Sequence, residues 1–176
     1  QEKKAAELIM GEIHKAAKEA GREDIQGEYM PFRFPDAKVG KCSQKAAGRE
    51  IPCAPYLHSG SIDRECDLVY LDEASEIDFA GAGDLEGKAV LLNSPANEEL
   101  YQRLLDHKVA AFLVLQGKYY YSPEEASLFP RRLKENFTAK GVIPGFVISA
   151  ADALWMVQEE VGKVRLTLEQ EKAELE

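Results

Sequence analysis

The sequence has no excess of basic residues, no long apolar run and no paired-cysteine motif. Its 22 lysines and arginines are outnumbered by 31 aspartates and glutamates, which gives a formal net charge of -9. Phosphate backbones and anionic membranes bind basic surfaces, so this charge argues against nucleic acid and membrane partners. No apolar stretch approaches the ~20 residues that a membrane-spanning helix requires.

Cysteine is scarce, with only Cys42, Cys53 and Cys66 in 176 residues, and none of the three forms a Cys-x-x-Cys pair. A chain of this size can bury enough surface to fold without a disulfide framework. We therefore expect free thiols in a reducing compartment, which favours a cytoplasmic location. The chain does not begin with Met, and a helical pattern is already present at its start, so we expect a segment of a longer protein.

Residues 2–20 place apolar side chains at helical spacing, and Gly21 is a suitable C-cap. The apolar positions are Ala5, Leu8, Ile9, Ile13, Ala16, Ala17 and Ala20. This pattern predicts an amphipathic helix of about five turns. Its apolar stripe needs a partner surface, and if it is exposed we expect the isolated chain to form a homo-oligomer.

The next segment carries weaker signals. Tyr29, Met30, Phe32 and Phe34 predict an edge strand over 28–34, because Pro31 cannot donate to a central ladder. Residues 36–50 show no period and are interpreted as a turn or extended loop. A second weak strand is predicted over 51–57, followed by a turn at 58–61.

From Cys66 onward, short apolar runs alternate with turns and helical segments, which is typical of an α/β domain. The predicted strands are 68–71, 89–93, 110–115, 142–148 and 164–168. The predicted helical segments are 95–107, 124–129 and 150–161, and 75–82 is predicted as a short loop or a helical turn. Ser149 is the expected N-cap of the last helix. The charged tail 169–176 is expected to fray or to begin the next segment.

The irregular stretch 117–141 is the strongest candidate contact surface. Its candidate contact residues are Tyr119, Tyr120, Tyr121, Arg131 and Arg132. Exposed tyrosines are common where proteins touch partners, and arginines bind carboxylates. We therefore expect these residues to meet a peptide substrate or a partner. The alternative is a loop that packs on its own domain.

Reactive groupings are few. His58 with Cys53 and Cys66 is one candidate for a zinc cluster or a thiol–imidazole pair, which leaves open an autonomous hydrolase. Chance placement explains the cluster better, because Cys53 sits in an apolar run between two prolines. The sequence therefore predicts no catalytic, cofactor-binding or metal-binding residue in this chain.

Four pieces of the sequence, in this order, resemble a known accessory domain. They are Leu68–Tyr70, Asp84–Lys88 with the strand after it, Val109–Val114, and Ile143–Pro144 with Ile148–Ala153. They resemble the protease-associated domain of the zinc-dependent aminopeptidase and glutamate carboxypeptidase family, which interrupts a metallopeptidase domain. The N-terminal helix is similar to the helix that opens such peptidases.

The resemblance implies a swivelling β/β/α fold, a small barrel-like β-structure flanked by helices. Residues 1–21 would begin the parent peptidase domain, 28–168 would be the protease-associated domain, and 169–176 would lead to the catalytic domain. The family's zinc ligands begin with a His-x-Asp motif, and none of His14, His58 and His107 has Asp two positions later. Zinc is therefore expected only in the parent catalytic domain.

The function that the resemblance implies is non-catalytic. The domain would border the cleft of a zinc aminopeptidase, limit substrate access or mediate assembly, with the parent peptidase domain and peptide substrates as partners. A stand-alone peptide-binding or protein-binding module, with 117–141 as its contact surface, is the alternative.

Overall fold

The N-terminal helix is a separate unit of the structure. The computed structural model describes residues 2–22, 34–93, 95–116 and 128–175. Contacts divide the chain into one unit formed by 1–34 with 175–176 and a larger unit formed by 35–174. Helix α1 spans Glu2–Glu19 and ends before Gly21, whose φ of 64° permits the reversal, as predicted. None of the helices in the described ranges is long and apolar enough to cross a bilayer.

The larger unit is built on one mixed sheet of nine strands. These are β1 Phe34–Ala46, β2 Arg49–Ile51, β3 Cys53–Leu57, β4 Ile62–Tyr70, β5 Ala89–Leu92, β6 Ala111–Gln116, β7 Arg131–Arg132, β8 Gly145–Ser149 and β9 Lys163–Leu175. Their order is β2-β1-β9-β4-β5-β6-β8-β3-β7. Although β1 and β3 stand far apart in this order, Cys42 on β1 contacts Cys53 on β3, so the sheet is strongly curled.

The centre of the sheet is parallel and apolar. Strands β4, β5, β6 and β8 pair in parallel, and every residue of β5 is buried. Parallel strands are covered on both faces, which explains their continuous apolar runs. One face carries a cluster around Tyr101 and Phe112, and the other a cluster around Phe146 and Leu166.

Four further helices accompany the sheet in the described part of the larger unit. They are α2 Glu76–Ala82, α3 Glu98–Asp106, α4 Glu135–Thr138 and α5 Ala150–Gln158. Three begin at side-chain caps. Ser75 forms a capping box with Asp78, Asn97 accepts from the amide of Leu100, and Ser149 accepts from the amide of Asp152.

Two predictions for this unit are wrong. The stretch 36–50, interpreted as a loop, forms a hairpin of β1 and β2 that turns at Ala47 and Gly48, both with positive φ. The tail 169–176 was expected to fray or to begin the next segment; the expectation of fraying is wrong, because β9 continues to Leu175 beside β1. Both segments lie near an edge of the sheet, where one face of a strand is exposed to water. Their sequences are therefore polar and lack the apolar pattern from which a strand is predicted.

The remaining boundaries differ by a few residues. Helix α3 begins after Asn97 rather than at Pro95, because Asn97 supplies the cap. Strand β8 begins at Gly145 rather than Val142, and α5 ends at Gln158 rather than Val161. All but the last residue of the predicted strand 28–34 and most of the predicted helical segment 124–129 lie outside the described residues.

Candidate functional site

The principal candidate site is a groove beside β7, and the predicted contact residues Arg131 and Arg132 form that strand. Strand β7 pairs in parallel with the end of β3, with Tyr56 opposite Arg131 and Leu57 opposite Arg132. The groove has a volume of about 910 Å³ and is lined by Arg132, by α4, by the turn after β3 and by β1 and β9. Tyr119, Tyr120 and Tyr121 lie outside the described residues, so their predicted role stays a prediction.

The two arginines have different surroundings. Arg132 is exposed and its Nη2 lies 2.7 Å from Oδ1 of Asp36, so β1 and β7 meet across the groove. Arg131 is half-buried beside Tyr56, which is itself buried. Burial raises the pKa of Tyr56, and the charge and hydrogen bonding of Arg131 offset part of that increase. Arg132 is thus the member of the pair that lines the groove.

The turn that forms the groove wall is fixed by one side chain from β9. Gln170 Nε2 donates to the carbonyl oxygens of Gly60 at 2.6 Å and Tyr56 at 3.2 Å, and to Oγ of Ser59 at 3.1 Å. Its Oε1 accepts from the backbone amide of His58 at 2.9 Å. The fully buried Ser59 also accepts from the amide of Gly145 at 3.0 Å, so the turn is anchored to β8 as well.

The groove carries charges of both signs. The charged side chains that line it are Asp36, Arg132, Lys134, Glu135, Glu171 and Lys172. A surface of this kind can bind a peptide through its ammonium and carboxylate groups. Among the described residues that line it, His58 is the single imidazole and no thiol is present. The hydroxyl of Thr138 donates to the carbonyl of Glu135 at 3.2 Å, so these residues do not pair a nucleophile with a base.

The candidate cluster of His58, Cys53 and Cys66 is not assembled. Cys53 opens β3, whereas His58 follows its last residue, so the length of the strand separates them. Cys66 is buried on β4. Cys53 instead meets Cys42, with the two sulfurs 3.6 Å apart. In the described ranges no three His, Cys, Asp or Glu side chains come together in a way that could hold a metal ion.

Two features that shape this region were not predicted from the sequence. One is the role of Gln170, which was predicted to lie in a charged tail. It contacts Gly60, 110 residues away along the chain, and no local sequence pattern reveals such a contact. The other is the contact between Cys42 and Cys53, which a local sequence pattern could have predicted. The dipeptide Ala47-Gly48 favours a tight turn, and a hairpin centred there brings the two cysteines opposite each other.

Comparisons with known proteins find likeness in structure alone. No family model matches the sequence, and no curated protein matches it. Among solved structures, a zinc aminopeptidase from Bacillus subtilis, BSAP, aligns with a TM-score of 0.62 and 18% identity, over 98% of this chain and 39% of its own. The aminopeptidase from Aneurinibacillus sp. strain AM-1 aligns with a TM-score of 0.62 and 15% identity, over 82% of this chain and 34% of its own.

A third structure, the peptidase M28 precursor from Shewanella amazonensis SB2B, aligns with a TM-score of 0.53 and 16% identity. It covers 82% of this chain and 38% of its own. The chain therefore spans less than two fifths of the length of each of these peptidases. At this level of identity, the likeness establishes that the chain has the fold of one part of larger aminopeptidase chains.

Proposed function

We propose that this chain is a protease-associated accessory domain of a zinc-dependent aminopeptidase, without catalytic residues of its own. The observation that carries the proposal is the unequal coverage of the alignment with BSAP, 98% of this chain against 39% of the peptidase. Such coverage is expected if this chain corresponds to one domain of a larger enzyme. The family resemblance of the four sequence pieces between Leu68 and Ala153 supports the same proposal.

The described residues do not fit a zinc site. In the described part, the imidazoles, thiols and carboxylates do not converge in groups of three or more, whereas a zinc site needs three or four protein ligands. Zinc therefore belongs to the catalytic domain of the parent protein in this proposal. We assign no step of peptide hydrolysis to residues of this chain.

The proposed role is to border the active-site cleft and limit which peptides reach it. The groove beside β7 suits this role because it is open, carries charges of both signs and has walls fixed by the Gln170 contacts. Lys134 lines it with an exposed side chain available to a peptide carboxylate. Asp36, paired with Arg132, supplies negative charge on the opposite wall.

Peptidase activity with added zinc tests the proposal, measured side by side on this chain and on the longer protein that contains it. We expect activity only in the longer protein, on substrates with a free N-terminus, and its loss on chelation. Activity in the 176-residue chain would overturn the proposal. If the longer protein is inactive or carries no His-x-Asp segment, the domain is instead a peptide-binding or protein-binding module.

A further inference from the structure

The hairpin of β1 and β2 places two cysteines in register. Its pairs are Gln44 with Ile51, Lys45 with Glu50 and Ala46 with Arg49. Cys42 and Cys53 stand at equal distances along the chain from the turn, where this register would continue past Pro52. In β3, Cys53 pairs with Ile148 of β8, and its sulfur lies beside that of Cys42.

The side chains complete this geometry. Cys42 Sγ lies 3.6 Å from Cys53 Sγ, so the two sulfurs are in van der Waals contact and their side chains point toward each other. Closing this gap to a bond of about 2.05 Å requires a small side-chain rotation rather than a movement of the strands. The segment between the two cysteines already forms the β1–β2 hairpin, so little further ordering of the backbone is needed to form the bond.

The pair also has the reactivity and access that oxidation requires. The hydrogen bond from Cys53 lowers the pKa of Cys42, while the same bond and burial raise the pKa of Cys53. Cys42 is therefore favoured as the thiolate that attacks first. Both are half-buried at the wall of an open cleft of about 710 Å³, whereas Cys66 is only 4% exposed.

We propose that Cys42 and Cys53 form a redox-active thiol pair that a low-molecular-weight disulfide oxidises to an intramolecular disulfide. The Cys42 thiolate attacks one sulfur of the small disulfide, forming a mixed disulfide and releasing one small thiol. Cys53 gives up its proton and attacks Cys42 Sγ, and the second small thiol leaves. Two protein thiols are oxidised and one small disulfide is reduced to two thiols. The bond ties the β1–β2 hairpin to β3.

Glutathione redox buffers test the proposal on the 176-residue chain. The reduced protein is equilibrated with graded ratios of oxidised to reduced glutathione and quenched with an alkylating reagent, and its intact mass is measured. We expect the oxidised protein to be two hydrogen atoms lighter before alkylation and to carry one alkyl group, on the one remaining thiol of three. Trypsin cleaves after Lys45 and Arg49, between the two cysteines, so a linked peptide pair identifies the bond.

The variants Cys42→Ser and Cys53→Ser should lose the bond, and Cys66→Ser should keep it as the matched control. Oxidation of the wild type should raise Tm by roughly 5–10 °C, because the bond removes conformational entropy from the unfolded chain, and the short loop that it closes keeps the gain modest. Three alkylated thiols, glutathione adducts alone, or a linkage through Cys66 would overturn the proposal. The wild-type peptide map decides this even if a serine variant folds poorly.

Discussion

The side-chain amide of Gln170 donates a hydrogen bond of 2.6 Å to the carbonyl of Gly60, joining β9 to the turn that follows β3. This turn has positive φ at His58 and Gly60, so its backbone groups point away from any regular ladder. Gln170 contacts four groups of β3 and the turn at once: the two hydrogens on its Nε2 are shared among three acceptors, and its Oε1 accepts from one backbone amide. An amide is required for this, because it donates and accepts on the same side chain.

Replacing Gln170 with Glu should destabilise the larger unit by about 2–3 kcal/mol, because a carboxylate cannot donate to the Tyr56 and Gly60 carbonyls and would repel them. Urea unfolding measures this change. Gln158→Glu, at the exposed end of α5, is the matched control and should change the free energy of unfolding by less than about 0.5 kcal/mol. Equal effects of the two variants would contradict the role assigned to Gln170.

Gly145 should tolerate no side chain. A Cβ placed there would lie 2.3 Å from Cζ of the fully buried Phe112, whose ring is held between Tyr56 and Tyr101. Gly145→Ala should therefore cost about 3 kcal/mol or more, since neither the ring nor strand β6 can move aside. Thermal unfolding followed by circular dichroism measures the loss.

Gly162→Ala is the control for that experiment, because a Cβ at Gly162 meets nothing within 4 Å and its φ is not positive. We expect its Tm to stay close to that of the wild type. A Gly145→Ala protein as stable as this control would show that the Phe112 ring can repack.

The hydroxyl group of Tyr101 should contribute to the stability of the fold in addition to the packing of its ring. Its hydroxyl oxygen accepts from the amide of Ile143 at 2.8 Å, and both residues are buried. Tyr101→Phe leaves that amide without its acceptor and should cost about 1–3 kcal/mol in the free energy of unfolding at neutral pH. Tyr70→Phe, on an exposed side chain, should change it by less than about 0.5 kcal/mol.

The free energy of unfolding should fall at alkaline pH, in part because of Tyr101. Burial raises the pKa of Tyr101 in the folded state, and burial likewise raises that of Tyr56. A group with a raised folded pKa contributes stability that is present below its unfolded pKa, about 10, and lost as pH rises through the folded pKa. The urea midpoint of the wild type should fall between about pH 9 and 11, and less steeply in Tyr101→Phe. Equal slopes would contradict this expectation.

The proposed role of the groove is tested in the longer protein that the proposed function assumes. In its peptidase assay, Lys134→Glu should raise KM about 2–5-fold for short peptides with a free C-terminal carboxylate, because one exposed charge contact is lost. It should leave kcat unchanged, since the proposal assigns no reacting group to the described residues of this groove. Lys140→Glu, outside the groove, is the control with the same change in net charge. Identical KM values for both variants would remove the groove from substrate binding.

The sequence predicts the elements whose signals are local. Helix α1 has a complete apolar stripe with Gly21 after it, strands β5 and β6 are continuous apolar runs, and Ser149 is a recognisable cap. Strand β1 and the polar second half of β9 escaped prediction because their stability comes from each other and from neighbours that only the fold provides. The contacts of Gln170 escaped it for the same reason.

The residues of the candidate site also divide into those with a local sequence signal and those that only the fold brings together. Arg131 and Arg132 were predicted as contact residues from their charge alone, and the structure places Arg132 at the groove while it sets Arg131 against Tyr56. Asp36, the ion-pair partner of Arg132, lies 96 residues away along the chain and in a segment interpreted as a loop. Long-range pairs of this kind have no signature in a single sequence.

The neighbouring positions of β1 and β9 have an evolutionary consequence. The domain's first and last strands lie side by side, with Gly40 against Glu169, and Asp36 and Lys172 line one groove. The beginning of β1 and the end of β9 are therefore close together. A domain with this arrangement can be inserted into a surface loop of a host protein without separating the two parts of the host that flank it.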